Sequence, residues 1–367
     1  MKRLKVIISG GGTGGHIFPA IAIANALKAV YDDIEFLFVG AEGRMEMEKV
    51  PAAGFKIEGL WISGFQRKLT MSNLMFPFKV IASLRKAKQI LKSFQPDVAI
   101  GTGGYASGPM LRVASQSGIP TVIQEQNSFP GITNKLLGSK VSKVCVAYNG
   151  MEKYFPKEKI ILTGNPVRKD ITDLSGKRNE ALQFFELDGT KKVLLVIGGS
   201  LGARTINESI ENNLAELAQN NIQLIWQTGK AYFPQAKEAV SKYADKGIKA
   251  FDFISKMDLA YASADAVVSR AGAISLSELA VAGKACILVP SPNVAEDHQT
   301  KNAMALVKMD AAVMVKDIES RQKLGKEITD LFSNETKQKQ LQENIKKMAM
   351  PDAAQHIAQE ILKLLIK

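Results

Sequence analysis

The chain is poor in the groups on which redox, metal and secreted-protein chemistry depend. Its 367 residues hold two cysteines and three histidines. Cys145 and Cys286 both sit in apolar surroundings, so no disulfide framework is expected and a reducing compartment fits. The histidines are far apart, D-x-D and C-x-x-C do not occur, and metal ligation has no support. No apolar run is long enough to span a bilayer. The basic N-terminus reaches glycine after a few apolar residues, so it does not read as a signal peptide. Acid is missing from one long stretch, with no Asp or Glu between Glu58 and Asp97.

Hydrophobic content of 46% and charged content of 23% describe an ordinary globular protein, and the length favours two domains. The net charge of +12 is unevenly placed. Residues 1–166 hold 21 Lys+Arg against 11 Asp+Glu, and residues 167–367 hold 27 against 25, so the first part carries +10 and the second +2. An acidic partner for the first part follows. The acid-free stretch holds Arg67, Lys68, Lys79, Arg85, Lys86, Lys88 and Lys92 beside Leu74, Met75, Phe76, Phe78, Val80 and Ile81. Apolar side chains among basic ones suit an anionic membrane surface. No RNA-binding signature occurs, and nucleic acid is not expected as a partner.

Strand-like and helical segments alternate throughout, which argues for an α/β protein with parallel sheets. Val6-Ile7-Ile8, Glu35–Val39, Val98–Ile100, Thr121–Ile123 and Lys143–Val146 read as strands. The pattern breaks around Gly164-Asn165-Pro166 and restarts at Val193–Ile197, followed by a second glycine loop and a helix over Thr205–Leu217. Further strands are read at Ile222–Trp226, Ala266–Val268 and Ala285–Val289. The expected domains are 1–166, membrane-facing, and 167–351. The amphipathic segment 352–367 is left open, with the first domain as the candidate it completes. Two nucleotide-binding-type halves imply a cleft at the carboxyl ends of their sheets.

The strand Val6-Ile7-Ile8 runs into Gly10-Gly11-Gly12-Thr13-Gly14-Gly15-His16 and then a helix, a layout that turns backbone N–H groups toward an anion. Gly10, Gly12 and Gly15 satisfy G-x-G-x-x-G, but the acid that a dinucleotide site needs at the end of the second strand is replaced by Val39-Gly40-Ala41, with only Glu42 near. A P-loop is excluded because His16 occupies the lysine position. A titratable side chain within a glycine loop makes His16 the first candidate for a general base. Glu125, in the polar run Gln124-Glu125-Gln126-Asn127 at a strand end, is the rival. Gly103, Gly104 and Tyr105, within Gly101–Pro109, offer more phosphate donors, and Ser269–Glu278 places a carboxylate on an early helical turn, suited to a ribose. The loop Glu296–Gln299 is a further polar segment at a strand end.

GGGTGGHIFPA, GTGGYASGP, Glu125-Gln126-Asn127, GNPVR, GGSLGAR, SRAGAISLSE and HQTKNA occur in this order over nearly the whole chain. Together they resemble the MurG family, the undecaprenyldiphospho-muramoylpentapeptide β-N-acetylglucosaminyltransferases of bacterial peptidoglycan synthesis. Gln124 stands where the family often has His, and Leu201 where it often has Gln. The resemblance implies a GT-B fold, two Rossmann-like domains facing each other across a cleft. It implies inverting transfer of N-acetylglucosamine from UDP-N-acetylglucosamine to the 4-hydroxyl of lipid I, giving lipid II at the cytoplasmic face of the cell membrane, with no cofactor or metal required. It assigns the UDP moiety to Arg168, Ser200, Ile254, the run Ala273, Ile274, Ser275, Leu276, Ser277 and Glu278, and Gln299. Thr13, Gly14, Gly15 and Asn127 would meet the donor sugar, and Gly103, Gly104 and Tyr105 the acceptor diphosphate. A UDP-sugar epimerase of the same architecture and a non-catalytic nucleotide-sugar-binding subunit at a membrane are the alternatives.

Overall fold

The computed structural model describes residues 3–64, 75–199 and 201–365. The chain divides into two compact units, Met1–Val167 with Asp352–Lys367, and Arg168–Pro351.

In the first unit β1 (Leu4–Gly10), β2 (Ile34–Ala41), β3 (Ile57–Leu60), β4 (Val98–Gly103), β5 (Thr121–Glu125), β6 (Lys143–Val146) and β7 (Ile160–Leu162) form one sheet. Its order is β3-β2-β1-β4-β5-β6-β7 and every pairing is parallel. Parallel sheets bury both faces, which is why Val6, Ile7 and Ile8 are consecutive and wholly buried. One face is covered by α1 (Gly14–Val30) through Ile17, Ala20, Ile23, Ala24 and Leu27. The helix Ala353–Lys363 joins the same core through Ile357, Ala358 and Ile361. Burial of its two isoleucines contributes about 2–3 kcal/mol each, and Lys143 pairs with Glu360. The end of the chain therefore covers the first unit. The other face is covered by α3 (Phe76–Phe94) and α4 (Ser107–Gln116), which follow the short α2 (Glu46–Ala52).

The second unit repeats the plan. Strands β8 (Lys192–Ile197), β9 (Ile222–Gln227), β10 (Ile248–Phe251), β11 (Ala266–Ser269), β12 (Ala285–Leu288) and β13 (Val313–Met314) run parallel in the order β10-β9-β8-β11-β12-β13. Trp226, fully buried in this core, donates its indole N–H to Asn207 Oδ1 at 3.1 Å. The helix read over Thr205–Leu217 is two: α6 (Arg204–Asn212) and a second, Leu214–Gln219, separated by the non-helical Asn213.

In each sheet the strand order reverses once, between β1 and β4 and between β8 and β11. At such a switch point the loops after two adjacent parallel strands diverge and leave room for a ligand at the carboxyl ends. Gly10 pairs with Gly103 at the first reversal and Ile197 with Ser269 at the second. The topology thus places the loops after β1 and β4, and those after β8 and β11, in two adjacent pairs. Among the described residues, no helix is long and apolar enough to cross a membrane.

Candidate active site

In the first unit the loop after β1 and the loop after β4 lie back to back. The Gly11 N–H donates to Gly103 O at 3.3 Å, and a Cβ on Gly104 would stand 2.3 Å from Gly11 O. Gly104 also has φ +87°, so this position is closed to any side chain on two counts. The glycines here are demanded first by the approach of two backbones. Tyr105 is half-exposed, its ring lying against Gly64.

His16 stands in the first turn of α1, where Thr13 is the extended N-cap residue. Its half-buried ring packs on Gly103, and its carbonyl accepts the Thr102 hydroxyl at 2.8 Å. Nδ1 lies 3.2 Å from Gln126 Oε1, while Nε2 makes no hydrogen bond among the described residues. Thr13 and Gly15 are exposed and Gly14 is half-buried.

Glu125 is differently placed. It is buried, and Oε1 accepts the Asn127 N–H at 2.9 Å and its Nδ2 at 3.1 Å. Oε2 accepts Asn134 Nδ2 at 2.8 Å and the Gly131 N–H at 3.2 Å, just before α5 (Ile132–Gly138). Four N–H donors on one carboxylate hold a loop in shape and occupy the acceptor positions of both oxygens. Asn127 is thereby fixed beside the site.

Glu46 escaped the sequence reading. This carboxylate, fully buried at the start of α2, accepts Gly12 N–H at 2.8 Å and Ala41 N–H at 2.9 Å. It braces the glycine loop from beneath, so the acid nearest that loop is spent on backbone rather than displayed to a ribose. One of two Glu in a seven-residue helix carries no sequence signal of that role.

In the second unit a cavity of about 430 Å³ opens at the switch point. It is lined by Gly198, Gly199 and Gly202, by Arg270 and Gly272, and by Ser275, Ser291 and Gln299. A Cβ on Gly202 would lie 1.9 Å from Thr228 O, so this loop also depends on close backbone approach. Ser275 belongs to the first turn of α7 (Ala273–Ala282), whose leading N–H groups start the helix next to the cavity. Gln299 accepts the Ser291 N–H at 2.9 Å. Arg270, Thr205 and Asp317 form a hydrogen-bonded cluster on the lining that the sequence reading did not single out.

Arg168, Ile254 and Glu278 lie outside that lining. Arg168 Nε donates to Glu278 Oε1 at 3.0 Å, and the buried Tyr261 hydroxyl donates to Oε2 at 3.3 Å. Burial pushes the Glu278 carboxyl up, opposed by the charge of Arg168. Ile254 is buried and donates its N–H to Gln227 Oε1 at 2.9 Å. Along α7, Ala273, Ile274 and Ser277 are half-exposed and Leu276 is buried. Ser200 lies outside the described residues. Neither thiol takes part, since burial pushes Cys145 and Cys286 up to about 12.

The basic, apolar segment is partly described. Phe78, Ile81, Arg85, Lys88 and Lys92 recur at helical spacing along α3 and are all exposed, the first two at 62% and 49%. Exposed Trp61 and Met75 adjoin the apolar end, and Lys79 Nζ lies 5.6 Å from the Trp61 ring centre. Lys86 pairs with Glu58 at 3.2 Å and stands apart from that stripe. Arg67, Lys68 and Leu74 lie outside the described residues.

Comparison with known proteins adds three findings. The chain matches the glycosyltransferase family 28 N-terminal domain over residues 6–146 and the family 28 C-terminal domain over residues 193–357. It is 57% identical over 364 residues to the UDP-N-acetylglucosamine–N-acetylmuramyl-(pentapeptide) pyrophosphoryl-undecaprenol N-acetylglucosamine transferase of Cytophaga hutchinsonii, covering 99% of this chain and 98% of the relative. Among solved structures, MurG of Acinetobacter baumannii superposes with TM-score 0.80 at 28% identity, over 98% of this chain and 99% of that one. The UDP-GlcNAc 2-epimerase of Neisseria meningitidis reaches TM-score 0.65 at 14% identity over 98% and 100%, a likeness of fold alone.

Proposed function

The chain belongs to glycosyltransferase family 28, and from that premise we propose the following division of labour for its reaction. The enzyme transfers N-acetylglucosamine from UDP-N-acetylglucosamine to N-acetylmuramyl-(pentapeptide) pyrophosphoryl-undecaprenol, as its relatives are named for doing. The acceptor's 4-hydroxyl attacks the anomeric carbon, its proton passes to a base, and the C–O bond to UDP breaks with inversion.

His16 is the base. One observation carries this: of the two titratable candidates, Glu125 has both oxygens occupied by N–H donors, whereas His16 keeps Nε2 uncommitted among the described residues. A group that must gain and lose a proton in each turnover needs such a free site. The departing UDP is met by the backbone donors of the glycine loop after β8 and the first turn of α7, with Arg168 supplying positive charge. Glu278 takes the ribose hydroxyls, and Ser275 and Gln299 line the nucleotide's cavity. These groups stabilise the leaving diphosphate without a metal ion. The exposed stripe on α3 seats the enzyme peripherally on the anionic membrane face that carries the lipid acceptor.

The test is a transfer assay with radiolabelled UDP-N-acetylglucosamine and lipid I in detergent, before and after exhaustive chelation. Labelled lipid II is expected at the same rate in both. Formation of UDP-N-acetylmannosamine with no label in lipid would favour an epimerase. Turnover restored only by added divalent metal would overturn the metal-free leaving-group chemistry.

A further inference from the structure

The ring of His16 touches the end of a chain of three buried amides, Gln126, Gln124 and Asn165, none of which has a place in the mechanism above. Each is no more than 2% exposed. Asn165 Nδ2 donates to the backbone carbonyl of Gln126 at 3.0 Å, which turns its Oδ1 to accept Gln124 Nε2 at 2.9 Å. That contact in turn points the Gln124 carbonyl oxygen at Gln126 Nε2. Gln126 Nε2 also donates to Thr102 O at 2.8 Å and to Gln124 O at 3.0 Å. Reversing the Gln126 amide would set its oxygen against three other oxygens inside the fold, leaving buried acceptors without donors. Its Oε1 therefore faces His16 Nδ1, and an amide oxygen only accepts.

We propose that Gln126 is a positioning residue that holds neutral His16 as the Nδ1–H tautomer and so leaves the lone pair on Nε2. The inference rests on the reading of His16 as the base and specifies which nitrogen does the work. The acceptor hydroxyl's proton goes to Nε2, Nδ1 keeps its own proton and its bond to Gln126, and the imidazolium later returns the new proton to solvent. The amide carbonyl fixes the ring without accepting a proton or adding a negative charge. Asn165, in the turn that follows β7, sets the direction of the whole chain of amides.

The full-length protein, labelled with ¹⁵N, tests this through long-range ¹H–¹⁵N correlation of its three imidazoles at a pH where they are neutral. His16→Ala identifies the His16 signals by their loss. The expected spectrum shows protonated Nδ1 and unprotonated Nε2 at His16, and a predominantly Nε2–H ring there would overturn the proposal. Gln126→Met should abolish the preference and lower kcat about 2- to 10-fold, the equivalent of one hydrogen bond, with KM for UDP-N-acetylglucosamine within about twofold. A changed tautomer with unchanged kcat would remove the positioning role. Should the Met variant fail to fold, the wild-type spectrum still decides. Wild-type turnover in His16→Ala would instead refute the base assignment, with the tautomer measurement standing separately.

Discussion

Replacing Glu125 with Gln separates a brace from a base. The wild-type carboxylate takes two N–H donors on each oxygen, at 2.9 and 3.1 Å on one and 2.8 and 3.2 Å on the other. An amide keeps one carbonyl oxygen, so whichever way it turns its NH₂ meets two N–H groups that can no longer be accepted. Hydrogen bonds to a charged group contribute about 1.5–3 kcal/mol each. Relaxation of the 126–131 loop reduces the loss of two of them to about 3 kcal/mol. For a unit of this size that lowers the melting temperature by about 6–12 °C. His16→Ala removes one hydrogen bond from a half-buried ring, worth about 0.5–1.5 kcal/mol. It should nevertheless lower turnover about 10²–10⁴-fold with the donor dissociation constant nearly unchanged. Calorimetry, steady-state kinetics and donor titration on the two variants make the comparison. The reasoning fails if Glu125→Gln melts like wild type yet loses turnover a hundredfold, while His16→Ala stays within a few-fold of wild type.

Glu278→Gln should weaken UDP-N-acetylglucosamine binding by about 10-fold or more, the scale of a charged hydrogen bond, as read by isothermal titration. Because the folded carboxyl of Glu278 is raised by burial, the native state binds the extra proton. Its stabilising contribution is full below the ordinary carboxylate range and is lost as pH rises through the raised value. Urea melts of wild type and Glu278→Gln across that interval should therefore show wild type losing ground to the variant with rising pH, and the opposite slope would contradict the burial argument. On the membrane stripe, Arg85, Lys88 and Lys92 changed together to Gln should weaken binding to anionic vesicles by about 1 kcal/mol per residue. Lys86→Gln, which breaks the pair with Glu58, should have the smaller effect, and equal losses in a co-sedimentation assay would mean the stripe is not the docking face.

Much of this protein is local in its sequence. The apolar runs at Val6–Ile8 and Val193–Ile197 mark central strands because a parallel sheet is buried on both faces. The glycine loops that follow them, and the order of the motifs, carry the family and the reaction. The strands that escaped reading are β3, β7, β10 and β13, the four edges of the two sheets. Each is only two to four residues long and mostly half-buried, and an edge strand with one neighbour needs no continuous apolar run. The roles of the polar groups were decided by tertiary structure. Glu125 and His16 are equally titratable on paper, and only the fold brings four N–H donors to one and a single amide oxygen to the other. Glu46 reaches a backbone N–H 34 residues away, Gln126 a ring 110 residues away, and Arg270 an acid 47 residues away. A hydrogen bond depends on distance and direction between atoms, and for partners so far apart along the chain both are set by how the strands and helices pack.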